Sequence, residues 1–263
     1  MKITALVENT SDGVLKAKHG LSLYIETAGH KILFDLGPDK TVFANAEKIG
    51  VDLKAVDTVI ISHGHFDHGG PLKDFLAINT KAKVYIQRTA YEPHYSKAGL
   101  LKINIGIDKS TAGNPNVVLL DGDYKIDDEL SLFVSKAEDK LKSDANKALF
   151  KADGPDDFRH EQNLLIHSEK DVLFTGCAHS GVVSILESAP ARPAYCIGGF
   201  HVYNPVNRKT VPVNQLEFLS QSLNDYSDII FYTCHCTGKK AFDYLSAAHA
   251  NIKYISAGNV LEI

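Results

Sequence analysis

Cysteine is scarce in this chain: Cys177, Cys196, Cys234 and Cys236 are the only four among 263 residues. None stands in a C-x-x-C pair, and four thiols in so long a chain do not make a disulfide framework. Reduced thiols in a cytoplasmic protein are the expectation. No segment approaches the ~20 apolar residues that a membrane-spanning helix needs. The first eight residues turn polar too soon for a signal peptide and read as a strand. Neither sign of charge dominates: 28 Lys and Arg stand against 32 Asp and Glu, a net charge of −4. That balance gives no long-range attraction for nucleic acid or an anionic membrane, although a local basic patch is compatible with it. There is no G-x-G-x-x-G or Walker pattern and no nucleophile elbow, so neither a nucleotide cradle nor serine hydrolysis is expected. Short-period repeats and low-complexity tracts are absent. What is left is a globular protein acting on a small molecule, of open oligomeric state.

The chain has 44% hydrophobic and 23% charged residues, enough for a sizeable core and ordinary for a globular domain. One domain over 1–263 is expected. Two β-rich runs at 22–27 and 31–35, broken by Ala28-Gly29-His30, read as a hairpin. Helical spacing at 41–49 stops at Gly50, and Gly69-Gly70-Pro71 opens a second helix to Ile78. Strands are predicted at 56–62, 83–87, 117–121, 130–135, 163–167, 171–175, 194–197, 228–233 and 252–256. Helices are predicted at 181–188, 212–223 and 239–249. Strands first and strand–helix alternation later suit sheets packed face to face with helices outside. Residues 97–160 are the least regular part, holding Gly99, Gly113, Pro115, Gly154 and Pro155. They read as a surface excursion, a solvated connection before a lid.

Four metal-competent side chains lie within six residues: His63, His65, Asp67 and His68. Imidazole nitrogen and carboxylate oxygen suit zinc, iron or manganese. The segment follows a buried strand, so one end is anchored. His63 and His65 can point the same way on extended chain, and Asp67 and His68 can turn toward a second position. Three later histidines, His179, His201 and His235, also follow predicted strands, whose ends converge on one edge of a sandwich. His201 comes after Gly198-Gly199, a pair that allows close backbone approach to a ligand. Cys234 and Cys236 flank His235 and are expected to pack on the opposite face. His19, His30, His94, His167 and His249 carry no motif, and His94 reads as a surface residue.

His63-Gly64-His65-Phe66-Asp67-His68 resembles the H-x-H-x-D-H signature of the metallo-β-lactamase superfamily. Within it, the chain is similar to the group of 7,8-dihydropterin-6-methyl-4-(β-D-ribofuranosyl)-aminobenzene 5′-phosphate synthase-like hydrolases. That similarity rests on Ser62 to Gly70, Thr175-Gly176-Cys177-Ala178-His179-Ser180-Gly181, Ile197-Gly198-Gly199-Phe200-His201 and Cys234-His235-Cys236-Thr237-Gly238. It runs nearly the whole chain and is weakest across 97–160. The resemblance implies a four-layer αββα sandwich and two divalent transition metals, zinc foremost, with iron and manganese as alternatives. His63, His65 and His179 would hold one metal, and Asp67, His68 and His235 the other. Cys177 departs from the pattern, since many members place a bridging aspartate there. The thiolate is a candidate ligand, and His160 then becomes an alternative third ligand of the first metal.

The implied reaction is hydrolysis by metal-activated hydroxide of a small phosphorylated or cyclic metabolite, with lactones or thioesters as the alternative. Asp67 would orient the attacking oxygen, and His201 would contact the substrate or transition state. Asp35 and Thr237 are candidates for holding the ligands in place. A nuclease on the same fold is disfavoured by the acidic balance. A di-iron redox protein is disfavoured by the lack of room for a flavin domain, and a metal-storing module by sparse histidine outside the motifs.

Overall fold

The computed structural model describes residues 1–98, 101–136 and 142–263. Gly99 and the rest of 99–100 and 137–141, all within the expected excursion, lie outside the described residues.

Two seven-stranded sheets form the centre. The first runs Val260–Glu262, Lys2–Val7, Ser22–Glu26, Lys31–Phe34, Thr58–Ile60, Lys83–Gln87 and Val117–Leu120. The second runs Ile252–Tyr254, Ile230–Thr233, Tyr195–Gly198, Val172–Phe174, Asn163–Ile166, Leu130–Phe133 and Tyr124–Lys125. Side chains alternate across each strand. Ile32, Phe34 and Ile60 of the first sheet pack with Leu164, Phe174 and Ile197 of the second, in one buried cluster between them. Leu33 and Val59 turn the other way, onto the helices Thr41–Lys48 and Leu72–Ile78. Leu173, Cys196 and Phe231 likewise turn out onto Val182–Ser188, Val213–Leu223 and Lys239–Ala248. The result is the four-layer αββα sandwich.

Thr58–Ile60 is parallel to both its neighbours, and Val172–Phe174, Tyr195–Gly198 and Ile230–Thr233 are parallel to one another. Their C-terminal ends therefore gather at one edge, where ligand sites of open parallel sheets form. The turns after these strands carry His63, Cys177 and His179, His201, and His235.

The excursion is not a solvated connection. Gly154–Pro155, Leu149–Lys151, Tyr95–Ala98 and Leu101–Asn104 make a four-stranded antiparallel sheet, with single helical turns at Lys109–Gly113 and Asp144–Ala148. One of its pairings, Leu149–Lys151 with Tyr95–Ala98, joins segments distant in sequence. The other two are local, but their strands are too short and too polar to stand out as alternating runs. The hairpin Tyr203–Asn204 with Lys209–Thr210 was equally unannounced.

Candidate metal centre

Asp35 secures the root of the histidine loop. It accepts hydrogen bonds from the Ser62 backbone N–H and hydroxyl, both at 2.7 Å. His63 lies in a bend and His65 on extended chain, and Phe66–Gly69 then closes into a single helical turn that carries Asp67 and His68. His63, His65, His68, His179 and His235 are all buried.

Four of these rings share one arrangement. His68 Nδ1 donates to Asp35 Oδ2 at 2.6 Å, and His63 Nδ1 to Ser62 Oγ at 2.9 Å, the hydroxyl already donating to Asp35. His179 Nδ1 donates to Asn146 Oδ1 at 2.9 Å, while the Asn146 amide returns a bond to the His179 carbonyl. Asn9 does the same for His235, through bonds of 2.9 and 3.0 Å. Glu161, buried behind His179, accepts from its backbone N–H. With Nδ1 protonated and tied down outward, each ring presents Nε2 inward, which is the orientation that metal-binding histidines are given by their supporting bonds.

The inward atoms form two groups. His63, His65 and His179 each bring a nitrogen within 4.8 Å of the others. His235 Nε2 lies 3.2 Å from His68 Nε2 and 3.4 Å from Asp67 Oδ2. His63 and His179 oppose their Nε2 atoms at 3.3 Å. Two ring nitrogens with facing lone pairs repel unless a cation lies between them, and about 3.3 Å is the ligand–ligand edge of a tetrahedron with Zn–N bonds of about 2.0–2.1 Å. His65 Nε2 is buried without a partner, as an unfilled ligand atom would be. The residues therefore fit divalent transition metals.

Cys177 lies between the two groups. Its Sγ is 3.2 Å from His68 Nε2 and within 4.8 Å of ligand atoms of His63, His179, His201 and His235. His201 lines the same cavity with both ring nitrogens unpartnered, 4.1 Å between ring centres from His179. The glycines before it make room for neighbouring protein. A Cβ on Gly198 would lie 2.1 Å from the Thr175 carbonyl oxygen, and one on Gly199 2.3 Å from Cys236 Sγ. Thr237 accepts a bond from Phe200 N–H and so holds the His201 loop, without facing the cluster itself.

His160 has both nitrogens engaged within the protein, Nδ1 accepting from Gly64 N–H at 3.0 Å and Nε2 facing Asp156 at 3.3 Å, and it also brings a ligand atom within 4.8 Å of those of His65, His94 and Asp156. Two expectations need correction. His94 is buried rather than on the surface, bonded to Asp156 at 2.9 Å and to the Thr89 carbonyl at 3.2 Å. Cys236 does not point away from His235. Residues His235–Thr237 form a tight turn, with His235 at φ 48°, and both side chains line the cavity. Cys234 packs between the sheets as expected.

His19 escaped the sequence reading. Its Nε2 is 3.3 Å from Asp67 Oδ2 and its ring packs on His235. Gly20, at φ 145°, lets the chain come this close, since a Cβ there would lie 2.5 Å from the Asp67 carbonyl oxygen. The available signal was a histidine and glycine directly at a strand's mouth. The cavity over these residues has a volume of about 310 Å³, and its outer walls are apolar, with Phe66, Ile103, Ile105, Leu149 and Val206.

Burial, then the neighbouring imidazoles, holds His63, His65 and His179 well below the ordinary imidazole pKa. Burial also lowers His160 and His235, against the pull of Asp156 and Asp67. Burial works against charge on His68 too, but Asp35 outweighs it and raises the pKa to about 9. Without metal, His68 therefore holds a proton that metal binding must displace. For Asp67, burial is outweighed by the neighbouring histidines, His19 first, and it stays ionised. A depressed histidine contributes stability that is complete above its unfolded pKa of about 6.5 and lost as pH falls. A raised one contributes stability complete below about 6.5 and lost as pH climbs. The metal-free protein is thus expected to melt highest near pH 6.5–7, falling toward pH 5 through His63, His65 and His179 and toward pH 9 through His68. Thermal melts in chelator across pH 5–9 check this, and a melting temperature still rising from pH 6.5 to 5 contradicts it.

The fold and site define an α/β sandwich with a histidine-rich centre on its sheet edge. Residues 16–208 match the profile of the Metallo-beta-lactamase superfamily, and the chain belongs to that family. An uncharacterized protein of Methanocaldococcus jannaschii is 26% identical over 266 residues, covering 99% of this chain and all of its own length. The 7,8-dihydropterin-6-methyl-4-(beta-D-ribofuranosyl)-aminobenzene-5'-phosphate synthase of the same organism is 25% identical, covering 94% of this chain and 90% of its own. Among solved structures, Tm1679, described as a metal-dependent hydrolase of the beta-lactamase superfamily, superposes with a TM-score of 0.82 at 26% identity, covering 100% of this chain and 99% of its own.

Proposed function

We propose that the protein is a metal-dependent hydrolase working at two divalent transition metals, one held by His63, His65 and His179 and the other by Asp67, His68 and His235. The observation that carries this reading is the common orientation of His63, His68, His179 and His235, each with Nδ1 bonded outward and Nε2 turned in. Bound metals would supply electrophilic stabilisation and a water acidified to a pKa of about 7. The chain's own residues do the rest. Asp67, ionised and placed beside His19 and His235, orients the attacking oxygen. His201, with two unpartnered ring nitrogens in the cavity, donates to charge developing on the substrate. The apolar walls exclude water from the reacting groups.

The preferred substrates are small phosphorylated metabolites, phosphodiesters first, because in-line displacement has an attacking and a leaving oxygen for a metal pair to stabilise. The similarity to a synthase with a phosphate ester in its name supports the substrate class, although that protein is named a synthase and not a hydrolase. Lactones or thioesters are the second reading, favoured by the apolar walls. Elemental analysis after mild reconstitution is expected to give two metals per chain, and phosphodiesters are expected to turn over. A content near zero with zinc, iron and manganese alike would overturn the metal centre. Carbonyl hydrolysis by a form with one metal, with no phosphodiester turnover, would replace the first substrate class with the second.

A further inference from the structure

A second cavity, of about 620 Å³, adjoins the metal centre, and His235 lines both. The hairpin 203–210 stands between them. Pro205 and Val206 face the apolar cavity, whereas Arg208 and Lys209 line the second, together with Lys239 and Lys240 at the start of helix Lys239–Ala248. No acidic residue lines this second cavity, in a chain whose net charge is −4. Lys239 is paired with Asp243. Among the described residues, Arg208, Lys209 and Lys240 have no acidic partner. Glu8, bonded to the lining residues Thr10, His235 and Tyr254, is already taken up by donors. It accepts from the His235 and Thr10 backbone N–H groups, the Thr10 hydroxyl and the Tyr254 hydroxyl. The helix at this wall also begins without a side-chain cap. Its first N–H groups add positive potential to that of the three free cations.

We infer that this cavity is an anion subsite that takes a phosphate monoester group of the substrate. It rests on the hydrolase reading only for its link to turnover. A phosphate monoester carries a charge of about −1.5 to −2 at neutral pH and several strong acceptor oxygens. Guanidinium pairs with such a group through two parallel bonds, and ammonium as a point charge. The two cavities divide the work: the apolar one receives the body of the molecule and its scissile bond, and the basic one fixes a charged end beyond His235. The chain's overall acidity hides this site, because its cations come from two segments some thirty residues apart that only the fold brings together.

The test is titration calorimetry of the zinc-loaded protein with inorganic phosphate, for wild type and the double variant R208Q/K240Q. Both positions are exposed, so zinc content and thermal melting should not change. The variant removes two charge-assisted contacts, so it is expected to bind phosphate at least about tenfold more weakly. Wild-type affinity should also fall as salt is raised. Equal affinity in the two proteins overturns the inference, since any phosphate held at zinc contributes to both alike. The paired kinetic measurement uses a phosphate-bearing ester and a neutral lactone. The variant should raise KM for the former and leave the latter unchanged. A calorimetric difference without hydrolysis of any ester keeps the subsite and removes the hydrolase reading. Lactone hydrolysis with identical phosphate affinity does the reverse.

Discussion

His63→Ala is expected to abolish metal-dependent activity while the protein stays folded, and Asp67→Ala to do the same. His63 Nε2 faces His179 Nε2 at 3.3 Å and its ring packs against His65 and His68, so it belongs to the centre of the first group. On the proposed reading, losing it would take one of three nitrogens from the first metal. Electrophilic stabilisation by a metal is worth several kcal/mol, so the rate should fall by about a thousandfold or more. The fold has little stake in this ring. His63 sits in a loop at the sheet edge, outside the three apolar clusters, and Ser62 still donates to Asp35 without it. Relief of crowding among buried imidazoles further offsets the lost packing. Elemental analysis, a circular-dichroism melt in chelator and the rate on the best phosphodiester together decide the matter. A variant unfolded in chelator where the wild type is folded would make the site structural. A variant that kept full metal content and rate would remove His63 from the centre.

The largest effect on stability is expected from Gly198→Ala, a change of one methyl group. Gly198 has φ 148°, a region that side chains other than glycine's rarely enter. Its added Cβ would lie 2.1 Å from the Thr175 carbonyl oxygen and 2.4 Å from the Thr175 hydroxyl. Neither strand can easily give way, because Thr175 N–H bonds to the Ile197 carbonyl and Gly199 N–H to the Gly176 carbonyl, both at 2.9 Å. Overpacking costs about 1–3 kcal/mol and the backbone strain a similar amount. A loss of about 3 kcal/mol or more follows, which for a chain of this size lowers the melting temperature by roughly 6–12 °C. Separation of the two strand ends also displaces Cys177 and His201, so zinc should bind more weakly. A melting temperature within about 2 °C of wild type would show that the close approach is not a constraint.

Sheets packed face to face with helices outside were legible from the order of elements, and the four-layer αββα arrangement from the resemblance carried by His63 to His68. Alternation at Ile32-Leu33-Phe34 and Val59-Ile60 sets which side chains meet between the sheets and which meet the helices. The ligand candidates were legible for a related reason. His63 to His68 follow directly on one buried strand, and Cys177, His179, His201 and His235 follow three others, so strand order brings them to one edge. What the tertiary structure decided is how each ring is held. The acceptors behind His68, His179 and His235 come from Asp35, Asn146 and Asn9, at separations of 33, 33 and 226 residues. No periodicity encodes such a bond. The same is true of His19 beside Asp67, of His94 buried on Asp156, of Cys236 turned inward, and of the cations around the second cavity. Hydrophobic patterning repeats along the chain and can be read from one strand at a time. A single hydrogen bond or a cluster of charges depends on two distant segments, and its geometry exists only once packing has set their distance.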